Sequence, residues 1–170
     1  MAKFNVSGAR LISEFGERYE DYALDALEKE FVNTAGNIIE DSPIGIPNSE
    51  RADGEPPQGN FRHNWQISRQ PNGRYLTGTS KKGRSYASSK IRGKLKGGRS
   101  LFLYNNSPQA SVIEFGGYPN PVNRGTYYHK SKKYEIRSAG GFSRQAPQGI
   151  VRKNLNGFGR RFRARLKGFR

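Results

Sequence analysis

RYEDYALDALEKEFVNTAGNIIED, residues 18–41, places apolar side chains at Tyr19, Tyr22, Ala23, Ala26, Leu27, Phe31, Ala35, Ile38 and Ile39. Steps of three and four mark one face of a helix. Glu20, Asp21, Asp25, Glu28, Lys29 and Asn37 fall on the opposite face, so the stretch predicts an amphipathic helix of about six turns, ~35 Å long at about 1.5 Å per residue. Ser42-Pro43 should end it, because the residue before proline is driven out of helical geometry, and Gly45 and Pro47 discourage a restart. The acidic polar face argues against an anionic membrane and for packing on the protein's own sheet.

That sheet is expected downstream. After the loop SPIGIPNSERADGEPPQGN, residues 42–60, Phe61, His63, Trp65 and Ile67 alternate with Arg62, Asn64, Gln66 and Ser68, the period of a half-buried strand. Trp65, the only tryptophan, should then lie with Ile67 on a buried sheet face covered by the long helix. Pro71-Asn72-Gly73 predicts a turn and Arg74–Thr79 a return strand. Residues 81–99, KKGRSYASSKIRGKLKGGR, hold eight basic residues, no acid and four glycines, which suggests a basic loop or hairpin arm. SLFLYNN from Ser100 predicts a short strand, and PQASVIEFGG a short segment ending at glycines. Residues 117–142 look irregular, with short strands at Tyr127–Tyr128 and Lys133–Arg137. Ala146–Leu166 is helical or mixed, with Pro147 suited to a first helical turn. The tail RRFRARLKGFR holds six basic residues in eleven, and its end is expected to be mobile unless a partner orders it. The order implies an α+β fold: a long N-terminal amphipathic helix on an antiparallel sheet, with extended basic loops and a C-terminal helix or arm. The expected organisation is an N-terminal arm (1–17), one domain (18–158) and a basic C-terminal arm (159–170).

The totals bound the function. A chain of 170 residues suits a single domain with a genuine but small core, since only 33% of residues are hydrophobic while 12% are aromatic. There is no cysteine, which excludes disulfides and thiolate catalysis and fits a reducing compartment or a particle assembled inside a cell. No signal-like or membrane-spanning apolar run is evident, so folding in the cytoplasm is expected. The net charge of +16 is unevenly spread: residues 1–55 hold 5 Lys/Arg and 12 Asp/Glu, a net −7, and residues 56–170 hold 25 and 2, a net +23. Subunits that pair an acidic surface with a basic one would explain both halves.

Evidence for chemistry is thin. GKLKGGRS, residues 93–100, mimics a phosphate-binding loop but has Arg99 where the lysine belongs, and it precedes a strand rather than a helix. His63 and His129 have no metal-ligand spacing to each other or to carboxylates, so neither a metal nor a cofactor is expected. Glu114, isolated among cations, could be a general base, but no nucleophile or second carboxylate accompanies it, and a structural cap or ion pair is the better assignment. No enzyme is indicated. Basic stretches interleaved with Tyr86, Tyr104, Tyr127, Tyr128, Phe158 and Phe162 permit sequence-independent nucleic-acid binding through basic arms, although no known nucleic-acid motif is present.

Three ordered stretches carry a resemblance. They are Ser42-Pro43-x-Gly45 leading to Gly59-x-Phe61-Arg62-x-Asn64-Trp65; Leu101-Phe102-Leu103-Tyr104-Asn105-Asn106 leading to Ala110-x-x-Ile113-Glu114-x-Gly116; and Ser143-x-Gln145-Ala146-Pro147-x-Gly149-Ile150-Val151-Arg152. The series resembles the neck and tail-completion (head-tail joining, minor tail) proteins of tailed bacteriophages, over about residues 18–158. The chain departs from the family pattern in a longer insertion before Phe61, in Ser107-Pro108-Gln109-Ala110 where a tyrosine-alanine is usual, and in residues 81–99 and 117–142.

The resemblance implies a non-catalytic virion protein forming a ring of six in the neck or at the head-proximal end of the tail. Its neighbours would be head-closure or connector proteins and the tail tube or tail terminator, with genomic DNA passing through the opening without specific binding, and no membrane. It also implies scaffold roles for Phe61, Trp65, Glu114, Gly116, Pro147 and Gly149. The surfaces expected to make contacts are the basic loop, with Lys81, Lys82, Arg84, Lys94, Lys96 and Arg99, residues 117–142, and the C-terminal arm, with Arg160, Arg161, Arg163 and Arg165.

Overall fold

Helix α1 runs from Val6 to Glu40, so the helical stretch begins well before Arg18 and takes in most of the expected N-terminal arm. The computed structural model describes residues 6–45, 58–79, 82–97, 99–116, 126–128, 133–135, 141–142 and 146–169, and only the backbone of 6–12, 126–128 and 133–135. Two halves of α1 meet different surroundings. Ala26, Val32, Ala35, Ile38 and Ile39 are buried, whereas every residue from Ser13 to Asp21 is exposed.

The C-terminus of α1 is closed by partners from later in the chain. Ser42 Oγ donates to the Ile38 carbonyl at 2.8 Å and accepts the indole N–H of Trp65 at 2.7 Å. The Arg62 guanidinium donates to the carbonyls of Glu40 (2.6 Å) and Ser42 (3.2 Å), placing a cation at the negative end of the helix. Trp65 is therefore held at both ends: its ring lies in the core and its one polar atom is satisfied.

The strand expected from Phe61 is shorter than its alternation suggested. Asn60–His63 forms a single helical turn, α2, and strand β1 covers only Trp65–Ser68. Its partner is β2, Phe102–Asn105, antiparallel, with Trp65 opposite Asn105 and Ile67 opposite Leu103. Arg74–Thr79 forms no strand. Amide side chains supply the pairing that a strand would have given: Asn64 donates to the Leu76 carbonyl (2.9 Å) and accepts the Leu76 N–H (2.8 Å), and Asn60 donates to the carbonyls of Leu76 and Gly78. Both asparagines are buried, and neither hydrophobic period nor turn chemistry reveals that use of an amide.

Within the basic stretch 81–99 the residues Arg84–Ile91 form helix α3, not a hairpin arm. Ala87 and Ile91, both fully buried, are the apolar contacts hidden among the charges. The helix returns along α1, beginning beside Asn37 and Glu40 and ending near Glu28. Gly36 makes this approach possible, because a Cβ there would stand 3.0 Å from the Arg84 backbone. Helix α4, Ala110–Phe115, follows β2 and sends Ile113 into the core. A second antiparallel pair, β3 (Thr126–Tyr128) with β4 (Lys133–Glu135), matches the expected short strands as far as residue 135.

The final segment differs most from expectation. Pro147 does not open a helix; it lies in a bridge with Gly149 ahead of α5, Val151–Leu155. Asn156 and Gly157 then break the helical run, and of the expected helix or arm the structure has the helix: α6, Phe158–Leu166, which packs along α1. Phe169, just past it, nests among the rings of Phe15, Tyr19 and Tyr22 at 5.2–5.4 Å between centroids. The architecture is α+β, with the core formed where α1, α3 and the β1–β2 pair meet α4 and the turn before α5.

Candidate assembly surface

From Asp21 onward, the acidic residues of α1 are taken up within the same chain, whereas Glu17 and Glu20 stay exposed. Glu28 accepts the backbone N–H groups of Gly93 (2.7 Å) and Leu95 (2.9 Å), so the glycine-rich stretch that mimics a phosphate loop cradles a carboxylate of its own protein. Glu40 accepts the Arg84 N–H (2.8 Å) at the start of α3, which has no side-chain cap of its own. Asp41 binds Lys153 and Asn154 of α5, each at 3.0 Å. Burial pushes the Asp41 carboxyl up, but the bonds from Asn154 and Lys153 and the Lys153 and Arg62 charges hold it below its ordinary range.

Glu30 is the deepest of these acids, 1% exposed. It receives Arg161 Nε at 2.6 Å and Arg165 Nε at 3.2 Å, and Thr34 Oγ1 donates to it at 3.3 Å. The sequence reading did not single it out, although Glu30 falls one helical turn beyond Ala26 on the apolar arc, where a charge needs a partner. Two of the four arginines expected to make contacts beyond the chain, Arg161 and Arg165, anchor α6 to α1.

Glu114 is a cap. Its carboxylate accepts the backbone N–H groups of Ile150 (2.7 Å), Val151 (2.8 Å) and Arg152 (3.0 Å), which open α5, and Arg152 Nε at 3.2 Å. Burial raises its pKa, but the three N–H bonds and the Arg152 side chain outweigh burial and hold it below the usual carboxylate value. Gly149 is required beside it: its φ is +76°, and a Cβ there would stand 2.6 Å from the Glu114 carbonyl oxygen. Gly116, buried, ends α4 with a φ of +77°.

Of the expected contact residues, Lys81 lies outside the described residues. Lys82 is turned inward, donating Nζ to the carbonyls of His63 (2.6 Å) and Trp65 (2.9 Å) and lying 4.8 Å from the Tyr86 ring. Burial, and to a lesser degree Lys90, depress its pKa. Arg84 binds Asn37 at 2.6 Å, and Lys96 lies 3.9 Å from Asp21. Lys94, Arg99, Arg160 and Arg163 are exposed with no side-chain partner among the described residues, as are Arg92 and Lys167, which charge pattern alone did not single out.

No group of three or more His, Asp or Glu among the described residues could hold a metal ion. The cleft of about 250 Å³ beside Asp41, Pro147 and Ile150 has Asp41 and Lys153 as its titratable groups, and they neutralise each other at 3.0 Å. No helix among the described residues is long and apolar enough to cross a membrane.

Comparison with protein-family models, with curated proteins and with solved structures finds no match. The site must be judged on its own chemistry. After the acids of the second half of α1 have been satisfied in cis, exposed arginines and lysines remain on α6 and on the turn after α3, and exposed aromatic rings at Phe15 (59%) and Tyr19 (43%) on the first half of α1.

Proposed function

We propose that this protein is a non-catalytic structural component of a tailed-bacteriophage virion, which forms a ring in the neck or at the head-proximal end of the tail and joins or completes the tail. One observation supports the reading above the rest. The motif residues behind the family resemblance, scattered over more than a hundred positions, meet in two joints: Ser42 with Trp65, and Glu114 with Gly149, Ile150, Val151 and Arg152. Residues that resemble a family's pattern and also hold one another in place behave as a scaffold, leaving loops and outer faces to contact neighbours.

The proposed subunit contacts differ from a simple pairing of acidic helix with basic loop. Because Glu28, Glu30, Glu40 and Asp41 are already bonded within the chain, contact falls to the exposed first half of α1 and to the exposed cations of the turn after α3. Assembly would occur in the host cytoplasm, with six copies and the neighbouring connector, tail-tube or terminator proteins as partners.

The test is the mass of the purified protein by light scattering, followed by localisation in particles by electron microscopy. A ring, or a monomer that becomes a ring at the head-tail junction, is expected. A protein absent from assembled particles would overturn the assignment.

A further inference from the structure

The side chains of α6 sort by face. Phe158, Arg161, Phe162, Arg165 and Leu166 are half-buried toward α1, while Gly159, Arg160, Arg163, Ala164 and Lys167 are exposed. The inner arginines are committed. Arg161 binds Glu30 and also donates to Thr34 Oγ1 and the carbonyls of Asn154 and Asn156, and Arg165 binds Glu30. The outer three cations have no side-chain hydrogen bond or ion pair among the described residues.

Arg160, Arg163 and Lys167 stand at i, i+3 and i+7, one stripe on the helix surface spanning about 10 Å at about 1.5 Å per residue. The other exposed residues of the helix are Gly159 and Ala164, so the face is low as well as positive. The sequence has no Asp or Glu after Glu135, so no acid on α6 itself pairs with these cations.

We infer that this ridge binds the phosphate backbone of nucleic acid without reading its sequence. Three point charges in a row suit a strand that presents one phosphate per about 3.4 Å of axis. A membrane surface would require apolar residues on the exposed face, and here Phe158, Phe162 and Leu166 turn inward. A protein partner bound with useful affinity would require an aromatic or aliphatic anchor near the centre of the patch, where this face has glycine and alanine. The Glu30 anchor also fixes the helix before any ligand arrives, which lowers the ordering cost of binding. This ridge does not depend on the virion assignment.

The experiment is fluorescence anisotropy of a mixed-sequence DNA duplex titrated with the full chain over a salt series. Two triple variants of equal charge change are compared, Arg160→Ala/Arg163→Ala/Lys167→Ala and Arg92→Ala/Lys94→Ala/Arg99→Ala, with folding checked by circular dichroism. The ridge variant should lose at least about tenfold in affinity at about 0.1 M salt, and its log–log salt slope should shrink by about 0.9 for each phosphate that it no longer neutralises. The loop variant should keep most of both. Equal losses in the two variants would reduce the effect to net charge and overturn the ridge, as would an unchanged slope in the first. Polyglutamate competing as well as duplex would transfer the ridge to an acidic protein, again against the inference. Particle localisation scores separately: absence from particles with the ridge effect intact removes the joining role alone, and presence in particles with an unchanged slope removes the ridge alone.

Discussion

Glu30 and Glu114 are both carboxylates that tie segments distant in sequence, and they do so by different physics. Glu30 is enclosed and balanced by two guanidinium groups, each more than a third exposed. Glu114 is 13% exposed and spends its oxygens mainly on three backbone N–H groups at the start of α5. The first joint depends on charge, since removing its partners strands an ion in the core. The second depends on shape, because the donors are main-chain and cannot be mutated away. A joint of the first kind is sensitive to its partners and one of the second kind to the acid itself.

The hydrophobic benchmark for both is Trp65→Ala, which should cost about 3–5 kcal/mol in urea unfolding, as deletion of a core aromatic does. A cost below about 1 kcal/mol would place the ring in a contact surface rather than the core. Next, Arg161→Ala with Arg165→Ala should cost about 3 kcal/mol, the low end for a broken buried pair because water reaches the guanidiniums. Adding Glu30→Leu to that double variant should recover most of the loss, and failure to recover would mean that α6 is held by something other than charge. Glu114→Gln should cost about 1–2 kcal/mol, since a neutral acceptor keeps some of the bonds but loses their charge assistance. If it matched the Glu30 joint in cost, the distinction between charge and shape would collapse.

The smallest effect should appear on acidification. Burial and the Lys82 charge lower the pKa of His63, so folding favours the neutral ring. Its contribution is complete above about 6.5, the ordinary histidine value, and is lost as pH falls through the lower folded value. Asp41 and Glu114 are depressed as well, and their contributions are lost further down, as pH falls below their ordinary values of 3.8 and 4.5 toward the folded ones. Thermal melts should therefore decline in two stages, and His63→Gln should abolish the upper one. A single decline confined to the carboxylate range would separate His63 from the fold's pH response.

Periodicity foretold α1 over its buried half, because a sheet and a second helix cover that stripe, and it foretold Trp65 and Ile67 as the inward face of a strand. It did not foretell α3, where Ala87 and Ile91 supply the only two buried residues in a helix otherwise surrounded by charge and glycine. Arg161 and Arg165 look identical in sequence to Arg160 and Arg163. Only the helical phase of α6, set by the break at Asn156-Gly157, decides which pair is an anchor and which is a surface. The cap made by Glu114 was legible as a role but not as a partner, since its donors are main-chain atoms 36–38 positions away.

The Glu30 joint also has a history in time. Arg161 is synthesised 131 residues after Glu30 and Arg165 135 residues after it. On the ribosome, α1 emerges with an acid on its apolar arc and nothing to neutralise it, so that part of the helix gains by staying hydrated until α6 arrives. Joining segments so far apart carries a loop-closure cost that grows only slowly with length. The Glu30 joint can therefore close only once α6 has been synthesised.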